Sequence, residues 1–433
     1  MAAALVAGCD AETAAPGRPL PVAGPPGVVR VALADFRWPL DPALAQGRDE
    51  TTLARMLYPT PLRTDPTTGA VAPGLCTAWK ASRDFRRWSF TCRSAPAIAV
   101  ALRRVARLRN SPARWLFANA ERISAGKSTL FVRLRFPWRR FAYALTAVGA
   151  APRSVAGPFR LVSGSPSRVV VRRRSLTVVF RRLDAQAAAR EFRRGRLDEA
   201  PVPLGDIVAT RADPALRNAV RVRRLLGLDL VVFHRLDAGL RRAYWETADR
   251  GDYEELVPEL KGSAAFDLVG GDEKADPARF RRALAQIPHL PRVRVRVGVP
   301  ADPLLRFGAG LLYAQWRGVG LGPQLVAQPA GDLQASFLRV LSAYPQEEAI
   351  PAELVLRDGV GSRGELLRAF AAPEQHAELE RVDDELRASA ADIPVAWAVD
   401  ARLVSPRLEG WREDALGNVD YAAVRSPASS RLR

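Results

Sequence analysis

Lysine is almost absent from this 433-residue chain, although the chain is strongly basic. Its lysines are confined to Lys80, Lys127, Lys261 and Lys274, so arginine supplies nearly all of the 65 basic residues and of the formal net charge of +19. The arginines are spread along the whole chain, and no RNA- or DNA-binding motif accompanies them. We therefore expect no nucleic-acid partner.

Histidine is also scarce, and this limits the metal and catalytic chemistry available. The chain has three histidines, which show no metal-ligand spacing: His234, His289 and His376. Ser165 lacks the surroundings of a nucleophile elbow, and the segment around Lys127 lacks the first glycine of a P-loop. The sequence therefore indicates no metal, no cofactor and no enzymatic activity.

Long apolar runs are missing as well. No window approaches the roughly 20 apolar residues needed to cross a bilayer. The hydrophobic share of 48% and the charged share of 26% are those of a globular protein rather than a disordered one. The length allows two or three domains, or one large body with two lobes.

Only three cysteines occur, and two of them flank a predicted hairpin. Cys76 and Cys92 lie on either side of its midpoint, Asp84, so antiparallel pairing would set them opposite each other. A disulfide there would indicate an oxidising compartment. Two separate buried thiols are the alternative.

The third cysteine, Cys9, ends the run Leu5-Val6-Ala7-Gly8-Cys9, which resembles the lipobox of bacterial lipoproteins. Residues 10–27 follow as a tether rich in Pro, Gly and Ala. The favoured interpretation is a lipoprotein anchored through Cys9 to the outer face of the cytoplasmic membrane, in the cell envelope. A chance match is the alternative.

The most informative segment is 56–93, MLYPTPLRTDPTTGAVAPGLCTAWKASRDFRRWSFTCR. It combines turns marked by Pro and Gly with two alternating runs, 77–81 and 87–91, which predict a hairpin. In order and spacing it resembles the opening of the bacterial extracellular solute-binding proteins of family 5, which serve peptide and nickel ABC importers. Further landmarks follow in the family's order: Gly157-Pro158-Phe159, Arg196-Leu197-Asp198, Asp249-Arg250, and Val319-Gly320-Leu321.

The resemblance covers about residues 28–425 and implies an α/β, two-lobed periplasmic-binding-protein-like fold of type II, in the peptide-binding cluster. The ligand cleft would lie between the lobes. We expect a leader remnant and tether at 1–27, lobe I at 28–228 with a hairpin subdomain at about 76–150, lobe II at 229–399, and a return to lobe I with a C-terminal tail at 400–433.

The resemblance also implies a function and a set of partners. The chain would be the solute-binding component of an ABC importer, a monomer that closes its lobes on a small peptide-like ligand and delivers it to a membrane permease and its ATPase. The alternative is an envelope lipoprotein that keeps the fold as a regulatory or interaction scaffold without transport.

Candidate ligand-binding residues follow from the same correspondence: Phe36, Trp38, His234, Arg235, Tyr344, Glu347, Glu348 and Trp397. Aromatic walls with a few fixed polar groups are what a binding cleft needs. The aspartate that pairs with a peptide α-amino group in family members is not at its expected place. Glu347 or Glu348 would replace it, or the ligand has no free amine.

Overall fold

The protein is an α/β molecule built around one long sheet. The computed structural model describes residues 27–149, 157–255, 258–269, 276–300, 303–328, 331–359, 361–390 and 392–425. Cys9 and the tether lie outside these ranges.

The strands of the described ranges are numbered in chain order. They are β1 Val28–Leu33, β2 Leu62–Thr64, β3 Val71–Pro73, β4 Cys76–Ala81, β5 Arg87–Cys92, β6 Ala120–Ala125, β7 Thr129–Leu134, β8 Arg160–Ser165, β9 Arg168–Arg173, β10 Leu176–Arg182, β11 Glu199–Pro201, β12 Val220–Phe233, β13 Val295–Val299, β14 Pro323–Ala327, β15 Ala335–Leu341 and β16 Asp392–Val404.

The α-helices are numbered in the same way. They are α1 Gly47–Leu57, α2 Ala95–Arg107, α3 Ala144–Ala147, α4 Ala185–Arg193, α5 Ile207–Ala212, α6 Ala238–Glu246, α7 Gly251–Glu254, α8 Pro277–Gln286, α9 Pro303–Gly318, α10 Ala349–Glu353, α11 Arg363–Ala371 and α12 Gln375–Ser389. A π-helical turn, Leu354–Asp358, continues α10, and short 3₁₀ helices lie at Arg114–Phe117, Phe141–Tyr143, Leu204–Asp206, Pro258–Leu260 and Ile287–His289.

Ten strands form the long sheet in the order β14-β13-β15-β12-β16-β11-β1-β10-β9-β8. The fourth and fifth strands in this order, β12 and β16, are 14 and 13 residues long and pair antiparallel along most of their length. Because both strands run through the middle of the sheet, they connect its two halves directly. The division of the chain into lobes at the boundaries given above stays a prediction.

A separate four-stranded antiparallel sheet, β4-β5-β7-β6, contains the predicted hairpin. The alternating runs at 77–81 and 87–91 predict its first two strands, and the structure confirms both. Helix α2 covers one face of this sheet. The apolar spacing in the segment 94–108 predicts a helix with one apolar face, formed by Ile98, Leu102, Val105 and Leu108. The first three are buried, and Leu108, just after the helix end, is partly buried.

Two strands differ from the sequence prediction. The apolar run from Leu228 to His234 predicts a strand there, but β12 begins at Val220 because the arginine-rich stretch 221–224 pairs with β16. The alternating run from Arg292 to Val297 predicts a strand over its whole length. Its first residues are exposed and lie outside the sheet, and β13 begins at Val295.

The buried side chains form three cores. One lies between the four-stranded sheet and the segment 338–386. A second lies between one face of the long sheet and helices that include α4, α6 and α9. The third packs β1, β9 and β10 against the C-terminal segment 404–424.

Candidate functional site

The segment Ser342–Glu348, which connects β15 to α10, is held in one conformation by its own hydrogen bonds. The Ser342 hydroxyl donates to the Tyr344 carbonyl oxygen at 2.6 Å, and the Gln346 amide donates to the same carbonyl at 2.8 Å. The Ser342 amide donates to the Leu226 carbonyl at 2.8 Å. These bonds turn the chain so that Tyr344 points into the protein, where it is fully buried.

Tyr344 packs in an aromatic cluster that joins the segment to the hairpin subdomain. Its ring centroid lies 6.1 Å from that of Trp115, 6.5 Å from Trp138 and 5.9 Å from Tyr143. Trp138 also stacks on Phe370, with 4.4 Å between centroids and 5° between planes. We call these five residues the aromatic junction. They connect residues 115–143 with residues 344–370.

Glu348 lies beside this junction and is fully buried. Its Oε2 accepts a hydrogen bond from Arg140 Nη1 at 3.1 Å. Burial raises the pKa of Glu348 to about 7, because the nearby Arg140 guanidinium offsets only part of the lost hydration. The carboxylate is therefore only partly ionised at neutral pH.

Glu347 differs from its neighbour because it is partly exposed. Its Oε2 lies 2.9 Å from His376 Nδ1, and its Oε1 lies 3.7 Å from Arg140 Nη1. The hydrogen bond to Glu347 raises the pKa of His376. Arg140 thus approaches both carboxylates and links the hairpin subdomain to the start of α10.

Three buried polar atoms in this region make no close hydrogen bond among the described residues: Tyr344 Oη, Glu348 Oε1 and Trp138 Nε1. Burial, the charge of Glu348 and a hydrogen-bonding interaction with its carboxylate raise the pKa of Tyr344 well above its ordinary value, so the Tyr344 hydroxyl stays protonated and lies near that carboxylate. A buried polar atom without a partner costs about 1–3 kcal/mol. Unmatched donors and acceptors at a contact between two parts of a protein are suited to meeting the polar groups of a ligand.

Phe36 and Trp38 lie in a different core. Phe36 is 1% exposed and packs among the strands of the third core. Trp38 is half-buried against β8, where a Cβ on Gly164 would come within 1.9 Å of Trp38 Cζ2. Only glycine leaves room for that indole ring. Contact of either residue with a ligand stays a prediction.

His234 and Arg235 follow the end of β12 and are both exposed. His234 Nε2 lies 2.9 Å from Ser336 Oγ, and its amide donates to the Gln334 carbonyl at 2.8 Å. Trp397, on β16, is half-buried at the border of the core that contains Tyr344. The structure therefore brings Tyr344, Glu347 and Glu348 together, with Trp397 in contact with the same core, and places the other candidates elsewhere.

The other predicted sites concern the cysteines. Cys76 and Cys92 are register partners at the ends of β4 and β5 and form a disulfide with an S–S distance of 2.06 Å. Cys9 lies outside the described residues.

Sequence reasoning missed the residues that complete the site from the hairpin subdomain: Trp115, Trp138, Arg140 and Tyr143. A density of aromatic residues between 115 and 143 was the available signal. No sequence signal distinguished Arg140, because it is one arginine among many.

A cavity of about 230 Å³ lies away from the junction, among α6, α8 and α12. Three arginines, Arg242, Arg279 and Arg387, line it. Each has a carboxylate within ion-pair distance. No ligand is assigned to this cavity, because its charges are already balanced within the protein.

The long sheet with two crossing strands and the separate hairpin sheet match solved structures of solute-binding proteins. The murein tripeptide binding protein MppA of Escherichia coli has a TM-score of 0.77 at 17% identity, covering 94% of this chain and 99% of that one. OppA of Haemophilus influenzae in complex with RPPGFSPFR has a TM-score of 0.77 at 14% identity, covering 93% and 99%. NikZ of Campylobacter jejuni in complex with Ni(L-His) has a TM-score of 0.75 at 15% identity, covering 93% and 100%.

These matches confirm the predicted fold, with two α/β lobes as in peptide- and nickel-binding proteins. No protein-family model matches the chain, and no curated protein is similar to it in sequence. The chain is therefore a divergent representative of this fold.

The arrangement of the lobes can also be compared. The unliganded open form of MppA has a TM-score of 0.64, against 0.77 for the other MppA structure. The chain as a whole therefore superposes less well on that open form than on the other MppA structure.

The described residues include no helix that is both long and apolar enough to span a bilayer. They also include no group of three or more His, Cys, Asp or Glu residues placed to hold a metal ion.

Proposed function

We propose that this chain is the extracytoplasmic solute-binding component of an ABC importer, which takes a peptide or peptide-like ligand between its lobes and delivers it to a membrane permease. The fold supports a solute-binding role. The observation that carries the proposal is the set of unmatched buried atoms around the aromatic junction. They combine a carboxylate oxygen, a hydroxyl and an indole N–H within one small region.

This set of atoms suits a peptide. Glu348 Oε1 would accept a hydrogen bond from an ammonium or amide N–H, and Trp138 Nε1 would donate to a carbonyl oxygen. The Tyr344 hydroxyl can do either. The charge of an ammonium group would also favour the ionised form of Glu348, which burial alone disfavours.

Access to these atoms requires the lobes to move. Tyr344 and Glu348 are both fully buried, so a ligand reaches them only when the hairpin subdomain separates from the segment 342–370. Hinge motion between two lobes is the established way in which such folds admit ligand. We propose that the present arrangement is a closed one.

A thermal-shift screen with di- and tripeptides, followed by native mass spectrometry, tests the proposal. We expect at least one peptide to raise the melting temperature of the wild-type protein and to remain bound in the gas phase. Glu348→Gln should lose this shift. Glu347→Gln, which removes the same charge one residue away at a partly exposed position, should keep it. If no peptide stabilises the wild-type protein, the importer proposal fails.

A second candidate function rests on a different observation. The aromatic junction fills the contact between the two parts of the protein with the chain's own side chains. That is the arrangement expected of an envelope scaffold that keeps the fold without transport. Complementation of a strain that lacks the gene distinguishes the two functions. If the protein is a scaffold, the Glu348→Gln variant should restore the wild-type phenotype. If it is an importer, this variant should not.

We also propose attachment to the membrane through a lipidated Cys9, with the disulfide formed in the oxidising envelope. Cys9→Ser should release the protein into the soluble fraction after a high-salt wash, which removes purely electrostatic attachment. Continued retention of this variant on washed membranes would contradict the lipid anchor.

A further inference from the structure

The four-stranded sheet has one buried and one exposed face. Trp88, Phe90, Leu130 and Val132 point into the core. The alternating residues point the other way. On that outer face Arg87 lies directly opposite Arg133, and Arg133 lies directly opposite Arg122. Three arginines thus form a row across three neighbouring strands, which we call the arginine row.

This arrangement opposes stability. Side chains directly opposite each other on neighbouring strands are about 5 Å apart at their Cβ atoms, and like charges in such pairs destabilise a sheet. Arg133 has one counterion, since its Nε lies 2.9 Å from Glu121 Oε2. Among the described residues, no carboxylate lies within ion-pair distance of the Arg87 or Arg122 side chain. All three are exposed.

The next row on the same face adds one further cation and one aromatic ring. From β4 to β6, the residues directly opposite each other in this row are Lys80, Ser89, Phe131 and Ser124. The Phe131 ring is 48% exposed although it sits in the middle of the sheet. The arginine row together with Lys80 and Phe131 forms what we call the basic sheet face.

We propose that the basic sheet face docks on a membrane surface rich in anionic phospholipid. Its charges extend over all four strands of one sheet face, and this spread in two dimensions matches a layer of headgroup phosphates better than a single extended chain. Phe131 stands among the cationic groups, where its ring can enter the headgroup region while the arginines bind phosphates. A single-stranded nucleic acid would require several stacked aromatic rings rather than one.

Vesicle co-sedimentation of the full chain carrying Cys9→Ser tests this proposal without a lipid anchor. The probes are phosphatidylcholine vesicles with and without phosphatidylglycerol. We expect binding only to the anionic vesicles, and weaker binding as salt is added. Arg87→Gln with Arg122→Gln should reduce the affinity roughly 25-fold, about fivefold for each arginine.

The matched control is Arg292→Gln with Arg294→Gln, which removes two exposed arginines from another part of the chain. It should bind anionic vesicles within about twofold of the parent. The melting temperature gives an independent readout, because relieving the repulsion in the arginine row should leave the sheet variant at least as stable as the parent.

Three outcomes would overturn the proposal. One is an equal loss of binding in both double variants, which would assign the attraction to net charge alone. Another is unchanged vesicle binding in the sheet variant. The third is loss of affinity for a soluble polyanion, such as single-stranded DNA, with vesicle binding intact.

Discussion

Glu348 is a fully buried carboxylate whose Oε2 accepts a hydrogen bond from Arg140 at 3.1 Å. One partner does not replace the hydration that both oxygens lose on folding. An energetic penalty of this kind persists in a protein when the group has a use, and here the unmatched oxygen lies beside two other unmatched polar atoms. Glu348 is therefore the residue from which the proposed ligand site is best tested.

The pH dependence of stability should reveal this penalty. Folding raises the pKa of Glu348 from 4.5 to about 7. Between these values the folded chain binds more protons than the unfolded chain, so the free energy of unfolding falls as the pH rises through this window. This pKa shift corresponds to a decrease of about 3 kcal/mol in the free energy of unfolding.

We expect Glu348→Gln, which cannot ionise, to lose this part of the pH dependence. Urea denaturation at several values between pH 4.5 and pH 8 measures it. Glu347→Gln should keep the contribution of Glu348 and lose only the contribution of its hydrogen bond to His376, because that bond raises the pKa of His376. Parallel curves for wild type and Glu348→Gln would show that the carboxylate is not buried as described.

The hairpin β4–β5 is the element that both the sequence and the structure define most clearly. Its alternating residues predict its two strands, and its ends carry Cys76 and Cys92 as register partners. The disulfide between them closes a loop with a sequence separation of 16. Closing a loop of this length restricts the unfolded chain and is worth about 3 kcal/mol.

We expect Cys76→Ser with Cys92→Ser to lower the melting temperature by several degrees while the fold is kept. A reducing agent should lower the melting temperature of the wild-type protein to a similar extent and leave the double variant unchanged. Equal effects of the reducing agent on both proteins would mean that the bond is absent in solution.

Helices and hairpins were predictable because their patterns are local. The burial of Ile98, Leu102 and Val105 follows from the spacing of apolar residues in α2. The start of β12 was missed although Val220, Arg221, Val222 and Arg223 alternate apolar and charged residues as a half-buried strand does. Pairing with β16 carries the strand on through Arg224 to Leu228, where the register shifts.

For the molecule as a whole, the family resemblance predicted the two-lobed fold, and the structural matches confirm it. The sequence predicted only the residues that the segment 342–348 contributes to the candidate site. Tyr344, Glu347 and Glu348 were identified from their place in the sequence, but Trp138 and Arg140 meet them across roughly 200 residues of chain. Only the folded arrangement brings those two halves together.

The lobes also determine how the site would work. The chain resembles the unliganded open form of MppA less than it resembles the other MppA structure. If the present arrangement is the closed one, ligand binding and lobe closure are one equilibrium, and a ligand stabilises the contact that now buries Tyr344 and Glu348.

Calorimetric titration of a peptide from the screen into wild type, Glu348→Gln and Glu347→Gln is the most direct test of ligand binding at this junction. Loss of a charged, buried hydrogen bond should weaken binding to Glu348→Gln at least tenfold. Binding to Glu347→Gln should stay close to that of the wild type. Equal affinity of the wild type and Glu348→Gln would contradict a ligand site at the aromatic junction.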